Sequence, residues 1–225
     1  MFLEKNIKGL CDKFGLDFEE FLADLDVESV EDLAVSDLEV ICEEYDTDLN
    51  ALLFNYPFKS NHFKSKLEKI KLLVIDVDGV MTDGGMYVSE NGDEFKKFNT
   101  KDGMGIIHLT KNNFQVAIIS SGFKGEAIQQ RADRLGIQHC SVSRNPKMET
   151  LKSICKELKI ELSNVAIIGD DINDLEVIKN VGFSACPADA VNVVKSNVDV
   201  ILNKKGGEGC VRELIDFYIL TSPLN

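Results

Sequence analysis

The stretch KLLVIDVDGVMTDGG, Lys71 to Gly85, decides the fold. Leu72 to Ile75 are four apolar residues in a row, the pattern of a strand buried on both faces, and such strands belong to parallel sheets covered by helices. The strand runs straight into Asp76, Asp78 and then Gly79. Two acids two positions apart point to the same side while extended geometry persists. In a parallel α/β sheet, ligands bind outside the carboxyl ends of the strands. A core strand that ends in two carboxylates is therefore a candidate site.

Outward from this stretch the chain alternates short apolar runs with helical patterns. FQVAIIS, IQHCSV, NVAIIG, VGFSAC and VDVIL read as further strands. KGEAIQQRADRLG and PKMETLKSICKELKI read as helices, the second with Pro146 suited to its first position. The alternation predicts an α/β fold: a Rossmann-like parallel sheet with helices on both faces. Within MYVSENGDEFKKF, the pair Asn91-Gly92 predicts a small β-hairpin flap directly after the two aspartates. NVAIIGDDINDLEVI repeats the opening arrangement, with Asp170 and Asp171 after a glycine and Asn173 and Asp174 beginning a helix. VAIISSG ends a third strand in Ser120, Ser121 and Gly122 ahead of a helix N-terminus, a place that favours an anion. Lys147 falls in the first turn of another helix, where a cation is unfavourable unless something negative lies nearby.

Taken singly, each of these residues reads as a cap, a turn former or a solvated surface group. Taken together, acids delivered to one edge by two strands repel one another unless a hard cation sits among them. An oxygen-only set points to Mg²⁺ rather than zinc, and His62, His108 and His139 are too scattered to form a nitrogen site. Other motifs fail on inspection. DVDGVMTDGGMY has Val80 and Met81 where a calcium loop needs a ligand and a glycine, and DTDLNALL has Ala51 at that glycine position. DGMGIIH is a defective dinucleotide fingerprint, and neither a phosphate-binding P-loop nor a nucleophile elbow occurs.

Composition divides the 225 residues into two predicted domains, 1–60 and 61–225. The first holds 4 Lys and 16 Asp/Glu, a balance of −12; the second is nearly neutral at −1. Apolar spacings such as Ile7, Leu10, Cys11, Phe14 and Leu33, Leu38, Ile41 predict a small all-helical domain of four or five short helices preceding the sheet. So acidic a unit repels nucleic acid and anionic membrane. It faintly resembles phage-repressor helical domains, but its recognition stretch is short and acidic, so the reading is a module for protein interaction or oligomerisation. No apolar run approaches a membrane span and the start lacks a signal peptide's apolar region, which predicts a cytoplasmic protein. Six cysteines without close pairing read as buried thiols of a reducing compartment.

LLVIDVDGVMTDGG, IISSG, Lys147 and IIGDDIND, in that order and at these spacings, resemble the haloacid dehalogenase-type phosphatases from about Lys69 to Ile219. The D-x-D-G-V-x-T-D-G form, the hairpin in place of a large cap domain, FNTKDGMGI and the tail GGEGCVREL are similar to the capless subfamily acting on 3-deoxy-manno-octulosonate 8-phosphate in lipopolysaccharide biosynthesis. The resemblance implies a Mg²⁺-dependent sugar-phosphate phosphatase with Asp76 as nucleophile, forming an aspartyl-phosphate. It implies Asp78 as general acid and base, and Mg²⁺ held by Asp76, the Asp78 carbonyl and Asp170. Ser120, Ser121 and Gly122 would bind the phosphoryl group, Lys147 would bind it and balance the acids, and Asp171 and Asp174 would support them. Thr82, Lys101 and Asp102 are implied sugar contacts. Arg212 stands either at a substrate carboxylate or in a structural pair. Capless relatives assemble as homotetramers in which a neighbour's hairpin or tail closes the site. Two alternatives stand beside this reading. One is a nine-carbon ulosonate 9-phosphate substrate, since SSGFK departs from the T-G-x-K form. The other is a non-catalytic phosphosugar sensor.

Overall fold

The structure, a computed structural model, describes residues 2–45, 47, 49–54, 63–91, 94–122 and 125–221. The predicted boundary at residue 60, His62, the acids of DTDLNALL, Gly92 of the hairpin turn and Phe123–Lys124 lie outside the described residues. The chain divides into two compact units, Met1–Ser65 and Lys66–Asn225.

In the first unit the helices are α1 (Phe2–Phe14), α2 (Phe18–Asp24), α3 (Val35–Glu44) and α4 (Leu49–Phe54), with a 3₁₀ turn at Val30–Asp32. Asp17 starts α2 by accepting the N–H groups of Glu19 and Glu20, both at 3.0 Å, which satisfies donors the helix itself leaves open. Ile7, Leu10, Cys11, Phe21, Leu22, Leu38, Ile41 and Leu52 bury together as one small core. Phe14, predicted on the same face, is instead exposed at its edge, its ring 4.9 Å from that of Tyr45.

A one-turn helix, α5 (Lys64–Leu67), precedes β1 (Leu72–Ile75). The hairpin strands β2 (Tyr87–Val88) and β3 (Glu94–Phe95) follow, then α6 (Thr100–Lys111), β4 (Gln115–Ser121), α7 (Glu126–Leu135), β5 (His139–Ser143), α8 (Lys147–Leu158), β6 (Val165–Ile168), α9 (Leu175–Ile178), β7 (Phe183–Cys186), α10 (Asn192–Lys195), β8 (Val200–Ile201) and α11 (Cys210–Phe217). Six strands form one sheet in the order β5-β4-β1-β6-β7-β8, all parallel, and β2 pairs with β3 antiparallel. Pro146 is the residue before α8 rather than its first residue; its ψ of 128° is extended, and the helix opens at Lys147.

Leu72, Val74, Ala117, Ile119, Val165 and Ile167 bury one sheet face against Met148, Leu151 and Ile154 of α8 and Val177 of α9. The alternate residues Leu73, Ile75, Val116, Ile118, Ala166 and Ile168 are equally buried, so both faces are covered as the unbroken apolar runs require. Ile75 is level with Ile118 on one side and Ile168 on the other. The strand order thus reverses at β1, and the chain leaves β1, β4 and β6 side by side at the crevice where such sheets bind ligands. Among the described residues no helix is long and apolar enough to cross a membrane.

Candidate active site

Asp76 is the first residue past β1, and its N–H donates to the Ile168 carbonyl at 3.1 Å, so the strand pairing itself fixes where the acid begins. Asp76 and Asp78 are both extended, with ψ of 164° and 120°, and the chain turns at Gly79, whose φ of 81° lies in the left-handed region. Gly79 has a second reason to be glycine. A Cβ there would lie 2.1 Å from Asp170 Oδ2, so the Asp170 carboxylate rests directly on the turn.

Asp76, Asp78, Ser120, Ser121, Asp170 and Asp171 line one cavity of about 410 Å³. The three predicted strand ends therefore meet. Asp76 is 4% exposed and Lys147 is equally buried beside it, with Nζ 2.9 Å from Asp76 Oδ1 and 2.8 Å from Asp174 Oδ1. Burial draws the Lys147 ammonium down, but Asp76 and Asp174 more than offset it, and its pKa ends above the ordinary lysine value. The unfavourable first-turn position of this cation is thus answered by two carboxylates.

Asp174 is fully buried and fully used: Oδ1 accepts from Lys147, and Oδ2 accepts the Asp170 N–H at 3.2 Å and that of Asp171 at 3.5 Å. Asp171 is exposed and caps the turn Ile172–Asp174 by accepting the Ile172 N–H at 2.7 Å. Asn173 reaches across to Ser121, Nδ2 donating to Oγ at 3.2 Å.

One ligand oxygen each from Asp76, Asp170 and Asp174 lies within 4.8 Å of the others. Burial, then the Asp174 charge, push Asp76 up to about 7, with Lys147 pulling it back. Asp170 is also pushed up to about 7 by burial and then by Asp174 and Asp171. Asp170 Oδ1 is buried with no hydrogen-bond partner. With Lys147 and the loop amides occupying Asp174, the open oxygens belong to Asp76 and Asp170. An oxygen-only set of this kind fits a hard divalent cation.

The Asp78 carboxylate takes a different partner, Lys96, with Nζ 2.5 Å from Oδ1, and the same Nζ lies 3.1 Å from Glu94 Oε1. Lys96 escapes a motif-based reading; its signal in the sequence is its place on a flap inserted directly after Asp78.

The remaining predicted contacts are not among the residues lining the cavity. Thr82 is buried, its Oγ1 donating to the Val77 carbonyl at 3.2 Å and accepting the Gly84 N–H at 3.3 Å, so its hydroxyl closes the turn. The Gly122 N–H points at the Ser143 carbonyl, 3.4 Å away, and the helix α7 begins only at Glu126. The Lys101 side chain is exposed, with its N–H held by Asn99 Oδ1 at 2.8 Å. Asp102 is buried and accepts the Arg212 N–H at 2.8 Å. Arg212 pairs with Asp216, Nε 2.7 Å from both oxygens, which is the structural-pair arrangement.

Residues 142–214 match the family profile described as haloacid dehalogenase-like hydrolase. Over 161 residues the chain is 39% identical to the 3-deoxy-D-manno-octulosonate 8-phosphate phosphatase of Salmonella typhi, covering 72% of this chain and 85% of that one. It also superposes on the crystal structure of that phosphatase from Yersinia pestis with a TM-score of 0.67 at 37% identity, over 69% of this chain and 84% of the other. The structure of the Moraxella catarrhalis phosphatase, in complex with a magnesium ion, a phosphate ion and a KDO molecule, gives a TM-score of 0.67 at 34% identity, over 71% and 91% of the two chains.

Proposed function

Because the chain belongs to the haloacid dehalogenase-like hydrolases and is a phosphomonoesterase by its relatives, we propose that it hydrolyses 3-deoxy-D-manno-octulosonate 8-phosphate. The observation that carries this reading is the cluster of Asp76, Lys147, Asp170 and Asp174, of which Asp76 and Asp170 line a cavity together with Asp78 and Ser120.

An Asp76 oxygen attacks phosphorus in line, and the bond to the sugar oxygen breaks with its electron pair leaving on that oxygen. Asp78 gives the departing oxygen a proton, leaving an acyl phosphate on Asp76. Asp78, now a carboxylate, takes a proton from water as the water attacks phosphorus, and the bond to Asp76 breaks to release phosphate. Lys147 favours the anionic form of Asp76 and aims it, and Asp174 holds Lys147 in place. The Ser120 and Ser121 hydroxyls, which line the cavity, would donate to the phosphoryl oxygens. Asp76, the Asp78 carbonyl and Asp170 would hold Mg²⁺, whose charge offsets that of the carboxylates and the phosphate. The magnesium and phosphate ions named in the Moraxella structure support that assignment.

Residues 61–225 would carry this chemistry, with residues 1–60 an accessory unit for protein interaction. The exposed apolar side chains of the hairpin, Met86, Tyr87, Val88 and Phe95, favour a homotetramer, and the composition favours the cytoplasm.

The test is phosphate release from eight- and nine-carbon ulosonate phosphates with Mg²⁺ present. The eight-carbon substrate should give the highest kcat/KM, and Asp76→Asn should lower kcat at least a hundredfold, about 2.7 kcal/mol of barrier. Preference for a nine-carbon substrate would change the sugar, and no release from either would leave a phosphosugar sensor.

A further inference from the structure

The reaction above uses Asp78 and assigns nothing to the lysine bound to it. Lys96 follows β3, and its side chain is 9% exposed although it sits on the small flap, while Asp78 is 46% exposed. An ammonium buried to that degree persists only where acids partner it, and here both partners are present, Asp78 at 2.5 Å and Glu94 at 3.1 Å. Glu94 belongs to the flap and Asp78 to the turn after β1, so the lysine is a clasp between the two elements. The flap's large apolar side chains do not seat it, since Met86, Tyr87, Val88 and Phe95 are all exposed. The Tyr87 hydroxyl, donating to Asp83 Oδ2 at 3.0 Å, and Lys97, 3.7 Å from the same oxygen, also tie the hairpin to this turn.

We propose that Lys96 is a positioning residue for the general acid: by holding Asp78 Oδ1 it fixes the carboxyl rotamer and confines the catalytic proton to Oδ2. This rests on the phosphatase reading above. An ammonium has three donors and no acceptor, so the oxygen it binds remains an acceptor in every state of the reaction. The proton that Asp78 gives to the sugar oxygen, and later takes from water, is then carried each time by the other oxygen of a residue that lines the cavity. A half-exposed aspartate without the clasp spreads over its rotamers, and misplacement of a reacting group by about 1 Å costs on the order of a hundredfold.

The role predicts a dependence on leaving group. A sugar alkoxide needs the proton; 4-nitrophenolate leaves without one. Lys96→Met should slow pre-steady-state release of the sugar by about a hundredfold while slowing the nitrophenolate burst from 4-nitrophenyl phosphate by no more than about threefold. Lys96→Arg, which keeps a cation on Asp78, should restore most of the sugar rate. Lys96→Gln gives the same comparison if the methionine variant is insoluble. Equal losses on both substrates with no rescue by arginine would mean a merely structural lysine and overturn the proposal, as would unchanged rates on both. A wild-type protein silent toward both substrates overturns the phosphatase reading and this inference with it, whereas an active wild type with an indifferent Lys96 overturns the inference alone.

Discussion

Asp102 takes its meaning from neighbours far away in the chain. In FNTKDGMGI it reads as a polar residue on offer to a sugar, yet its Oδ1 accepts the Arg212 N–H at 2.8 Å. It thereby caps α11, whose own capping position is a glycine without a side chain. Burial pushes its pKa up to about 6, with the Arg212 N–H and the Arg131 charge pulling back. That lies above the ordinary carboxylate value of about 3.9, so the folded state holds the proton more tightly than the unfolded chain. The stability this confers is full below about pH 4 and is lost as pH rises through about 6. Asp102→Asn, which cannot ionise, should therefore lose less stability than wild type between pH 4.5 and 7. Urea unfolding at both pH values checks this, and a difference between the two proteins that is independent of pH would refute it. The partner is 110 positions along the chain, which is why local pattern could not distinguish a helix cap from a substrate contact here. Asp76 was legible for the opposite reason: an acid ending an apolar strand needs no distant neighbour to be conspicuous.

At the scale of elements, what reads from sequence is what both sheet faces enforce. The runs 72–75 and 165–168 are buried on every side, and their apolar residues are continuous. What does not read is the support beneath the Asp78 turn. The segment between β8 and α11 passes so close that a Cβ on Gly206 would lie 2.0 Å from the Gly79 carbonyl oxygen, and the Gly207 N–H donates to the Val80 carbonyl at 2.9 Å. Asn99 closes the arrangement, Nδ2 donating to the Gly207 carbonyl at 3.1 Å. The Gly206 and Gly207 contacts press backbone on backbone, which leaves no sequence signature except the glycines themselves. Gly206→Ala should shift the turn that presents Asp78, lowering kcat at least about tenfold although no motif residue is touched. Steady-state kinetics beside a melting curve checks it; normal kcat would show that the turn holds its shape without this support.

At the scale of the whole molecule the two compact units differ in what they contribute. Every residue of the acidic cluster and of the cavity lies in the second, and the first has its own small core. A chain starting near Asn61 is expected to keep kcat within about threefold, because a unit holding no part of the site costs little barrier when removed. Loss of the first unit's −12 charge should ease approach of an anionic substrate at low salt, an effect that added salt erases. Kinetics at two salt concentrations, with the mass in solution measured alongside, decides this. A hundredfold fall in kcat at unchanged mass would mean that the first unit reaches the site.

The central place of β1 also bears on the order in which the protein comes off the ribosome. The helical unit is complete within its own stretch of chain, whereas Leu72–Ile75 must wait for Gln115–Ser121 on one side and for Val165–Ile168, roughly ninety residues later, on the other. At about 5–20 residues per second, this wholly apolar strand of the nascent chain spends roughly 5–20 s without its second neighbour. Through that interval the segment that will carry Asp76 is an unpaired hydrophobic edge tethered behind an acidic, already foldable head.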